Sequence, residues 1–240
     1  MTFLFDHRNP EMQLDLPRTA LVLADMQNEF LEEKAHGTYY EMIAEGLKER
    51  NVIANLERLL ATAQTFGFHI IHSPHYYYPT DGQWRVPPGA IADYLASIGF
   101  CGRKDPVDLE GFAGSRADYY EPFKKYLMDG HTCNTSPHKH FGTVANDVIK
   151  QLHMRKIEKV IMAGPVANIC LESHLRDIIE AGFEVALVRD AVAAAVNEEG
   201  DGYTAAMVNA RFMANALWTT DEAVGKMTAA AADYDIDAIS

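Results

Sequence analysis

Residues 159–188 read KVIMAGPVANICLESHLRDIIEAGFEVALV, and this stretch decides the fold. Its two apolar runs, residues 159–163 and 183–188, are continuous rather than alternating, which is typical of strands buried on both faces. Between them, a short turn leads into a helix over residues 169–181, which Gly182 ends. Strand, helix and strand in this order form a βαβ unit, so the pattern predicts an α/β fold with a mostly parallel sheet.

A second unit of the same kind lies towards the N-terminus. The apolar run over residues 19–24 predicts a buried strand that ends at Asp25. Residues 48–66 carry leucine, isoleucine and valine at helical spacing, which predicts a crossover helix. Residues 68–72 then predict another strand, which the following Ser-Pro pair breaks.

The second half of the chain supplies the remaining elements. We expect a short strand over residues 131–135, a helix over residues 202–217 and a short final strand over residues 218–220. Thr143 is placed to cap a further helix, whose apolar face carries Val144, Val148, Ile149 and Leu152. With the two units above, these elements make five or six strands that alternate with helices.

Residues 76–130 show no clear helical or strand period and are rich in aromatic residues, glycine and proline. Such a long irregular stretch is uncommon inside a compact domain. We interpret it as an insertion that acts as a lid over a site or as an oligomer contact. The whole chain, residues 1–240, is otherwise expected to form one domain.

Composition excludes several classes of function. The chain has 21 basic and 34 acidic residues, a formal net charge of −13, so a nucleic acid or an anionic membrane is not expected as a partner. We find no leader pattern near the N-terminus and no run of about 20 apolar residues. The three cysteines cannot all pair, which fits a reducing compartment. These features predict a soluble, cytoplasmic protein.

Ligands of open α/β sheets bind beyond the carboxyl ends of the strands. Cys170 lies at such a place, in the first turn of a helix that follows a glycine-containing turn. Free N–H groups and the helix dipole there favour a thiolate, and the same N–H groups would stabilise an oxyanion. Asp25 follows another strand. The alternatives are a buried, inert thiol for Cys170 and a capping or turn acid for Asp25.

Several histidines follow the same strand ends and raise the question of a metal site. In principle a metal cluster could form from His72, His75, His138 and His140. No Asp-x-His motif accompanies them. We therefore predict neither a metal ion nor another cofactor.

Two motifs together resemble the isochorismatase-like cysteine hydrolase family. They are LADMQNEF at residues 23–30 and AGPVANICLESHLRD at residues 163–177. The later GFEVALVRDA and TTDE segments are similar to the C-terminal strands of the family. The resemblance covers roughly residues 18–75 and 130–225. It implies a three-layer α/β/α sandwich with a roughly six-stranded, Rossmann-like sheet and an Asp-Lys-Cys catalytic triad.

The resemblance also assigns roles to individual residues. Cys170 corresponds to the nucleophile and Asp25 to the general base. The peptide between Pro165 and Val166 corresponds to a non-proline cis bond in the family, which would aim the Val166 N–H at the same point as that of Cys170. These two N–H groups would form the oxyanion hole.

The lysine of the triad is the point where this sequence departs from the family. The family has it at the end of a strand before a Ser-Ala-Phe-x-Gly-Thr-like stretch, whereas here Ser-Pro-His-Lys-His precedes Phe141. Lys139 is the lysine of this loop, and we predict it as the third member of the triad. Its ammonium group would lower the pKa of a neighbouring thiol and carboxylate. If the loop follows a different path, His138 is the alternative.

These features predict a cofactor-independent cysteine amidohydrolase, in a homodimer or homotetramer. It would cleave a carbon–nitrogen bond of a small amide or carbamoyl compound through a thioester. The alternatives are vinyl-ether hydrolysis, as in isochorismatases, and a non-catalytic oligomeric scaffold. Nicotinamidases of the family bind a metal ion through Asp-x-His, and Ser73-Pro-His75 in that position argues against both nicotinamidase activity and a metal. The predicted substrate-binding residues are Phe30, His75, Tyr76, Trp84, His138 and His174.

Overall fold

A central parallel sheet organises the protein, of which a computed structural model describes residues 12–86, 89 and 91–237. In the described chain its six strands are β1 (Thr19–Ala24), β2 (His69–Ser73), β3 (Cys133–Asn134), β4 (Lys159–Ala163), β5 (Glu184–Val188) and β8 (Ala216–Trp218). Their order is β3-β2-β1-β4-β5-β8, and each neighbouring pair is parallel. A separate antiparallel pair consists of β6 (Val196–Asn197) and β7 (Gly200–Asp201).

Helices cover both faces of this sheet. One face packs against α2 (Thr38–Glu49), α3 (Val52–Phe66) and α9 (Thr220–Asp237), and the other packs against α6 (Val148–Met154), α7 (Cys170–Glu180) and α8 (Gly202–Met213). The shorter helices are α1 (Asn28–Leu31), α4 (Ala92–Ser97) and α5 (Lys124–Leu127). The predicted three-layer α/β/α architecture is therefore confirmed.

Strand β1 explains why the sheet needs cover on both sides. All six of its residues are buried. Leu21 and Leu23 belong to the core beneath α3, while Ala20 and Val22 belong to the core beneath α7. Successive side chains of a strand point to opposite faces, so a continuous apolar run supplies both cores at once.

The helix expected over residues 48–66 is interrupted. The chain instead forms α2, which was not predicted, and then α3, because Asn51 adopts a left-handed conformation with φ of 52° between them. The strand expected over residues 131–135 is limited to β3. The expected helix over residues 202–217 ends at Met213. The last strand of the sheet, β8, ends at Trp218, whereas the expected strand began there.

The expectation that Thr143 caps a helix with Val144 on its apolar face is wrong. Residues Thr143–Ala145 form a single 3-10 turn, and α6 begins at Val148. The backbone N–H and the hydroxyl of Thr143 both donate to the Asp177 carboxylate, at 2.7 and 2.9 Å. Val144 is 96% exposed. The turn is thus fastened to α7 instead of starting the next helix.

The segment over residues 76–130, which was expected to be irregular, contains the short helices α4 and α5. Its described residues pack against the carboxyl ends of the strands. Arg116 donates to the buried carboxylate of Glu29 at 2.6 and 2.9 Å. Gln27 donates to the carbonyls of His75 and Ala117, at 2.9 and 2.8 Å, and accepts from the His75 N–H at 2.7 Å. These buried contacts join the segment to the loop after β1.

Residues 1–11, 87, 88, 90 and 238–240 lie outside the described residues, including most of the N-terminal stretch in which we found no leader pattern. Within the described part of the chain, no helix combines the length and the apolar character that crossing a membrane requires.

Candidate active site

The topology brings the ends of β1 and β4 together. In the strand order, β2 and β3 lie on one side of β1, whereas β4 and β5 lie on its other side. This reversal makes a crevice at the carboxyl ends of β1 and β4, where α/β sheets bind ligands. Asp25 follows β1, and the turn that leads to Cys170 follows β4. Two of the three predicted catalytic side chains, Asp25 and Cys170, therefore belong to one crevice.

Close backbone packing sets the distance between these two strand ends. Gly164, with φ of 122°, lies so near β1 that a Cβ atom there would be 2.5 Å from the Ala24 carbonyl oxygen. Asp25 itself has a positive φ of 62°, and its N–H donates to the Ser73 carbonyl at 3.0 Å. Because of the close approach and the unusual backbone, Asp25 turns into the crevice and does not continue β1.

Asp25 is completely buried and contacts a histidine. Nε2 of His138, which is also completely buried, lies 2.8 Å from Oδ1 of Asp25. Because a carboxylate accepts hydrogen bonds, we place the hydrogen on Nε2. Among the described residues, the other carboxylate oxygen, Oδ2, has no hydrogen-bond partner. One oxygen of Asp25 is thus held and the other is free.

Cys170 begins α7 and is buried. Its thiol donates to the His140 carbonyl, with an Sγ to oxygen distance of 3.7 Å. Burial raises the pKa of this thiol well above its ordinary value, and the negative charge of Asp25 raises it further. The sequence favoured a thiolate from the helix dipole and a nearby lysine. In the structure, burial and Asp25 favour the protonated thiol, and only the backbone N–H of Cys170 opposes them.

The turn before Cys170 has the features that an oxyanion hole needs. The peptide bond between Pro165 and Val166 is cis, as the resemblance implied. In the described structure, neither the Val166 N–H nor the Cys170 N–H donates to a backbone carbonyl. Two backbone donors beside the thiol are therefore available to a ligand.

The structure does not bring Lys139 to Asp25 or Cys170. Its ammonium group lies 2.6 Å from the Asp81 carboxylate and 3.7 Å from the centre of the Tyr78 ring. Burial lowers the pKa of Lys139, although Asp81 opposes the shift. The predicted lysine position is thus corrected: His138, the alternative, is the residue that contacts Asp25.

His75 completes a buried cluster with His138 and Cys170. Its ring centre lies 4.4 Å from that of His138 and 4.9 Å from that of Phe100. Neither ring nitrogen of His75 has a hydrogen-bond partner among the described residues. Burial lowers the pKa of His75 well below its ordinary value, and the Lys139 backbone opposes this shift. His75 is therefore a neutral, unpaired imidazole at the wall of the site.

An open cavity of about 410 Å³ lies beside this cluster. Tyr77, Trp84 and Phe100 are among its lining residues, and the ring centres of Tyr77 and Phe100 lie 5.0 and 4.9 Å from that of His75. The full lining comprises Tyr77, Tyr78, Pro79, Asp81, Gly82, Trp84, Asp93, Ala96, Gly99, Phe100, Gly102, Arg103 and Lys104. The predicted binding residue Trp84 is thus in the cavity wall, and two aromatic rings separate the cavity from His75.

Three predicted binding residues lie elsewhere. Phe30 is buried in an aromatic cluster, with its ring centre 5.8 Å from that of Phe100. Tyr76 is also buried, and its ring centre lies 5.8 Å from that of Phe112. Nδ1 of His174 donates to the Cys170 carbonyl, and Nε2 accepts from the Ser73 hydroxyl, each at 2.8 Å. Both nitrogens of His174 are therefore occupied, and it supports α7 instead of facing the cavity.

Gln27, which the sequence did not single out, and Tyr77, which belongs to the Tyr76–Tyr78 run expected to contribute to specificity, both position the site. Gln27 binds the backbone of His75 through both the nitrogen and the oxygen of its side-chain amide. The hydroxyl of Tyr77 lies 3.0 Å from Nδ1 of His140. Its place three residues after the end of a buried strand was the available signal for Gln27. No sequence pattern indicated the contact of Tyr77.

A nicotinamidase-type metal site does not fit these residues. Ser73 stands where that site has its acid, and its hydroxyl is engaged by His174 and by the Asn146 amide, each at 2.8 Å. A hydroxyl in two hydrogen bonds does not supply the carboxylate ligand of such a site. We therefore derive no catalytic step from a metal ion at this position.

Solved structures share this architecture. A cysteine hydrolase from Pseudomonas syringae pv. phaseolicola 1448A superposes with a TM-score of 0.73 at 18% identity, covering 91% of this chain and 96% of that one. An N-carbamoylsarcosine amidase from Thermoplasma acidophilum gives 0.59 at 18% identity, covering 85% and 97%. A nicotinamidase from Bacillus subtilis gives 0.58 at 16% identity, covering 84% and 99%. The isochorismatase domain model matches residues 19–222, so the chain belongs to the isochorismatase-like hydrolase family.

Proposed function

We propose that the protein is a cysteine hydrolase that cleaves a carbon–nitrogen bond of a small amide or carbamoyl compound through a thioester. One observation carries the proposal. The buried Cys170 thiol lies in the same crevice as the Asp25 carboxylate, one oxygen of which is held by His138 while the other is free. This arrangement suits a nucleophile with its own general base.

The raised pKa of Cys170 makes the base necessary. A thiol that stays protonated at neutral pH attacks a carbonyl only if its proton leaves as the bond forms. Oδ2 of Asp25 is the acceptor for that proton, because His138 occupies Oδ1. His138 is then a positioning residue, and we assign to it the supporting role that the resemblance gives to a lysine.

The reaction follows in two halves. The Cys170 proton passes to Asp25, and sulfur attacks the carbonyl carbon while the N–H groups of Val166 and Cys170 hold the oxyanion. Asp25 returns the proton to the leaving nitrogen, which departs as ammonia or an amine and leaves a thioester. Asp25 next takes a proton from water, hydroxide attacks the thioester, and the proton returns to the departing thiolate of Cys170.

The cavity bears on the size and chemistry of the substrate. A volume of about 410 Å³ with aromatic walls suits a small molecule, which would reach Cys170 past Tyr77 and Phe100. The Asp81 and Lys139 pair supplies a polar group at its edge. The N-carbamoylsarcosine amidase and the nicotinamidase among the similar structures both act, by their names, on amide-type bonds. Together these points favour an amide or carbamoyl substrate over a vinyl ether.

A panel of small amides and ureas, assayed for ammonia release, tests the proposal. Cys170→Ala should abolish the release, whereas Cys133→Ala, a cysteine on the edge strand, should leave it unchanged. Full activity in Cys170→Ala would remove the thioester mechanism. A Cys133→Ala variant as inactive as Cys170→Ala would show that the loss comes from damage to the fold.

A further inference from the structure

Three potential metal ligands meet in the candidate active site. One ring nitrogen of His75, one of His138 and Sγ of Cys170 all lie within 4.8 Å of one another. The three side chains are 2%, 0% and 4% exposed. Each comes from a different segment, namely the loops after β2 and β3 and the start of α7, so the fold itself assembles the cluster.

The imidazoles in this cluster lack partners that buried polar groups normally have. Both nitrogens of His75 and Nδ1 of His138 are buried without a hydrogen bond in the described structure. Leaving a buried polar atom unpaired costs roughly 1–3 kcal/mol. Unsatisfied groups of this kind commonly mark a place for a water molecule or an ion that binds there.

The donor set and its spacing suit zinc. Two imidazole nitrogens and a thiolate are ligands that Zn²⁺ prefers, whereas Mg²⁺ and Ca²⁺ require oxygen. Zinc–nitrogen and zinc–sulfur bonds of about 2.1 and 2.3 Å in a tetrahedron place the ligand atoms roughly 3.3–3.6 Å apart. The observed upper limit of 4.8 Å is therefore about 1 Å wider than a closed site, so zinc binding requires the three ligand atoms to move closer together.

Asp25 supplies the support that such a site needs. Zinc-bound histidines usually donate their second ring N–H to a carboxylate, which fixes the ring and strengthens the ligand. Nε2 of His138 is already paired with Asp25 at 2.8 Å, and Nδ1 remains free. The free nitrogen is thus the one assigned to a metal ion.

We propose that His75, His138 through Nδ1, and Cys170 form a Zn²⁺ site that blocks the thiol. On binding, the Cys170 thiol loses its proton to the solvent, both imidazoles bind as neutral rings, and a water molecule takes the fourth position. This donor set differs from the Asp-x-His site considered above. Zinc binding is independent of the hydrolase activity. Its inhibitory effect on turnover rests on the proposed function.

Cobalt titration of the full chain, after treatment with a chelator, tests the site directly. Co²⁺ in a four-coordinate site with a thiolate gives a sulfur-to-cobalt charge-transfer band in the near ultraviolet. We expect this band to saturate at one Co²⁺ per chain and to disappear when Zn²⁺ is added. The absence of the band would overturn the proposal.

Variants identify the ligands. Cys170→Ser should remove the band, and Cys133→Ser should keep it unchanged. His75→Ala should weaken binding by more than the roughly 10–100-fold expected for Asp25→Asn, which removes only the supporting carboxylate. A band that survives in Cys170→Ser and vanishes in Cys133→Ser would place the metal elsewhere. Circular dichroism of each variant shows whether the fold is retained.

Alkylation by iodoacetamide, followed by mass spectrometry, separates this proposal from the hydrolase function. Zn²⁺ should slow the labelling of Cys170 at least about tenfold and leave that of Cys133 unchanged, whether or not any amide is hydrolysed. Protection together with an inactive amide panel would support the zinc site and contradict the hydrolase function. Equal labelling of Cys170 with and without Zn²⁺ would contradict the zinc site, whatever the activity.

Discussion

The two oxygens of Asp25 differ in their surroundings, and this difference organises the chemistry of the site. Oδ1 is held by His138, whereas Oδ2 is buried and unpaired among the described residues. Lys139 is the next residue along the chain, but its ammonium group pairs with Asp81. At the scale of single residues, the two neighbours therefore have separate roles that substitution can distinguish.

We predict that His138→Gln lowers kcat of a responsive amide by roughly 10–100-fold with little change in KM, because it disturbs the base but not the cavity. Lys139→Met should change KM by a few-fold and leave kcat nearly unchanged, since Lys139 pairs with Asp81, which lines the cavity. Steady-state kinetics of both variants check this. The opposite pattern, with kcat sensitive to Lys139, would return Lys139 to the catalytic group.

The thiol of Cys170 offers a second test at this scale. Burial and the Asp25 charge both raise its pKa, so iodoacetamide should label it slowly at neutral pH. Asp25→Asn removes the negative charge and should lower the pKa, which makes labelling at about pH 7 faster. The pH dependence of labelling, measured by mass spectrometry with Cys133 as the internal control, gives the sign. Slower labelling in Asp25→Asn would contradict an electrostatic effect of Asp25.

At the scale of elements, the loop after β3 explains why His138 and not Lys139 reaches Asp25. His138 pairs with His75 in a short parallel bridge, and its N–H donates to the Pro74 carbonyl at 3.0 Å. Adjacent side chains of extended backbone point in opposite directions, so an inward His138 turns Lys139 outward. The sequence gives both residues but not the register of the bridge, and the register decides between them.

The strands were easier to predict than the helices because their apolar runs are continuous. The break between α2 and α3 escaped prediction, since it depends on a left-handed conformation at Asn51 that apolar spacing does not encode. Asp25 and Cys170 could be located from strand ends alone. His174 could not be separated from the cavity-lining residues, because its two hydrogen bonds depend on how α7 packs against β2.

The junction of β1 and β4 supports a prediction about stability. Gly164→Ala combines a backbone of φ 122° with a Cβ atom 2.5 Å from the Ala24 carbonyl oxygen. We expect a loss of about 3 kcal/mol or more in the free energy of unfolding. Gly67→Ala is the matched control, because its φ of 77° is also left-handed but nothing lies within 4 Å of the added Cβ.

Urea denaturation of the two glycine variants separates the backbone effect from the steric clash. Gly67→Ala should lose only the cost of the left-handed backbone, roughly 1–2 kcal/mol. Equal losses in both variants would show that the close approach of β4 to β1 adds nothing. A larger loss in Gly164→Ala would attribute the difference to this contact.

For the whole molecule, we predict association into an oligomer. The expected homodimer or homotetramer is a prediction, and exposed apolar side chains on α8, namely Val208 at 54% and Phe212 at 64%, are the surface we would test first. Light scattering of the protein and of Phe212→Asp checks it. A fall in mass for Phe212→Asp would locate a contact on α8, whereas a monomer in both would contradict the prediction.

The whole molecule also carries a distinctive dependence on pH, because burial lowers the pKa of several histidines. For His72 and His174 the pKa falls to about 4. Unfolding restores their ordinary value near 6.5, so the unfolded chain binds more protons below that pH. The stabilisation is therefore complete above about pH 6.5 and is lost as the pH falls towards 4. At about pH 5, each residue accounts for a loss of roughly 2 kcal/mol.

Urea unfolding at about pH 7.5 and pH 5, in buffer with a chelator, measures this loss. His72 accepts from the Met26 N–H and donates to Asn134, so His72→Gln will change stability at both pH values. The informative quantity is the difference between the two pH values, which the variant should reduce by roughly 2 kcal/mol because glutamine does not titrate. If the variant and the unaltered protein show the same difference in unfolding free energy between the two pH values, the buried neutral His72 is not a source of the acid sensitivity of the protein.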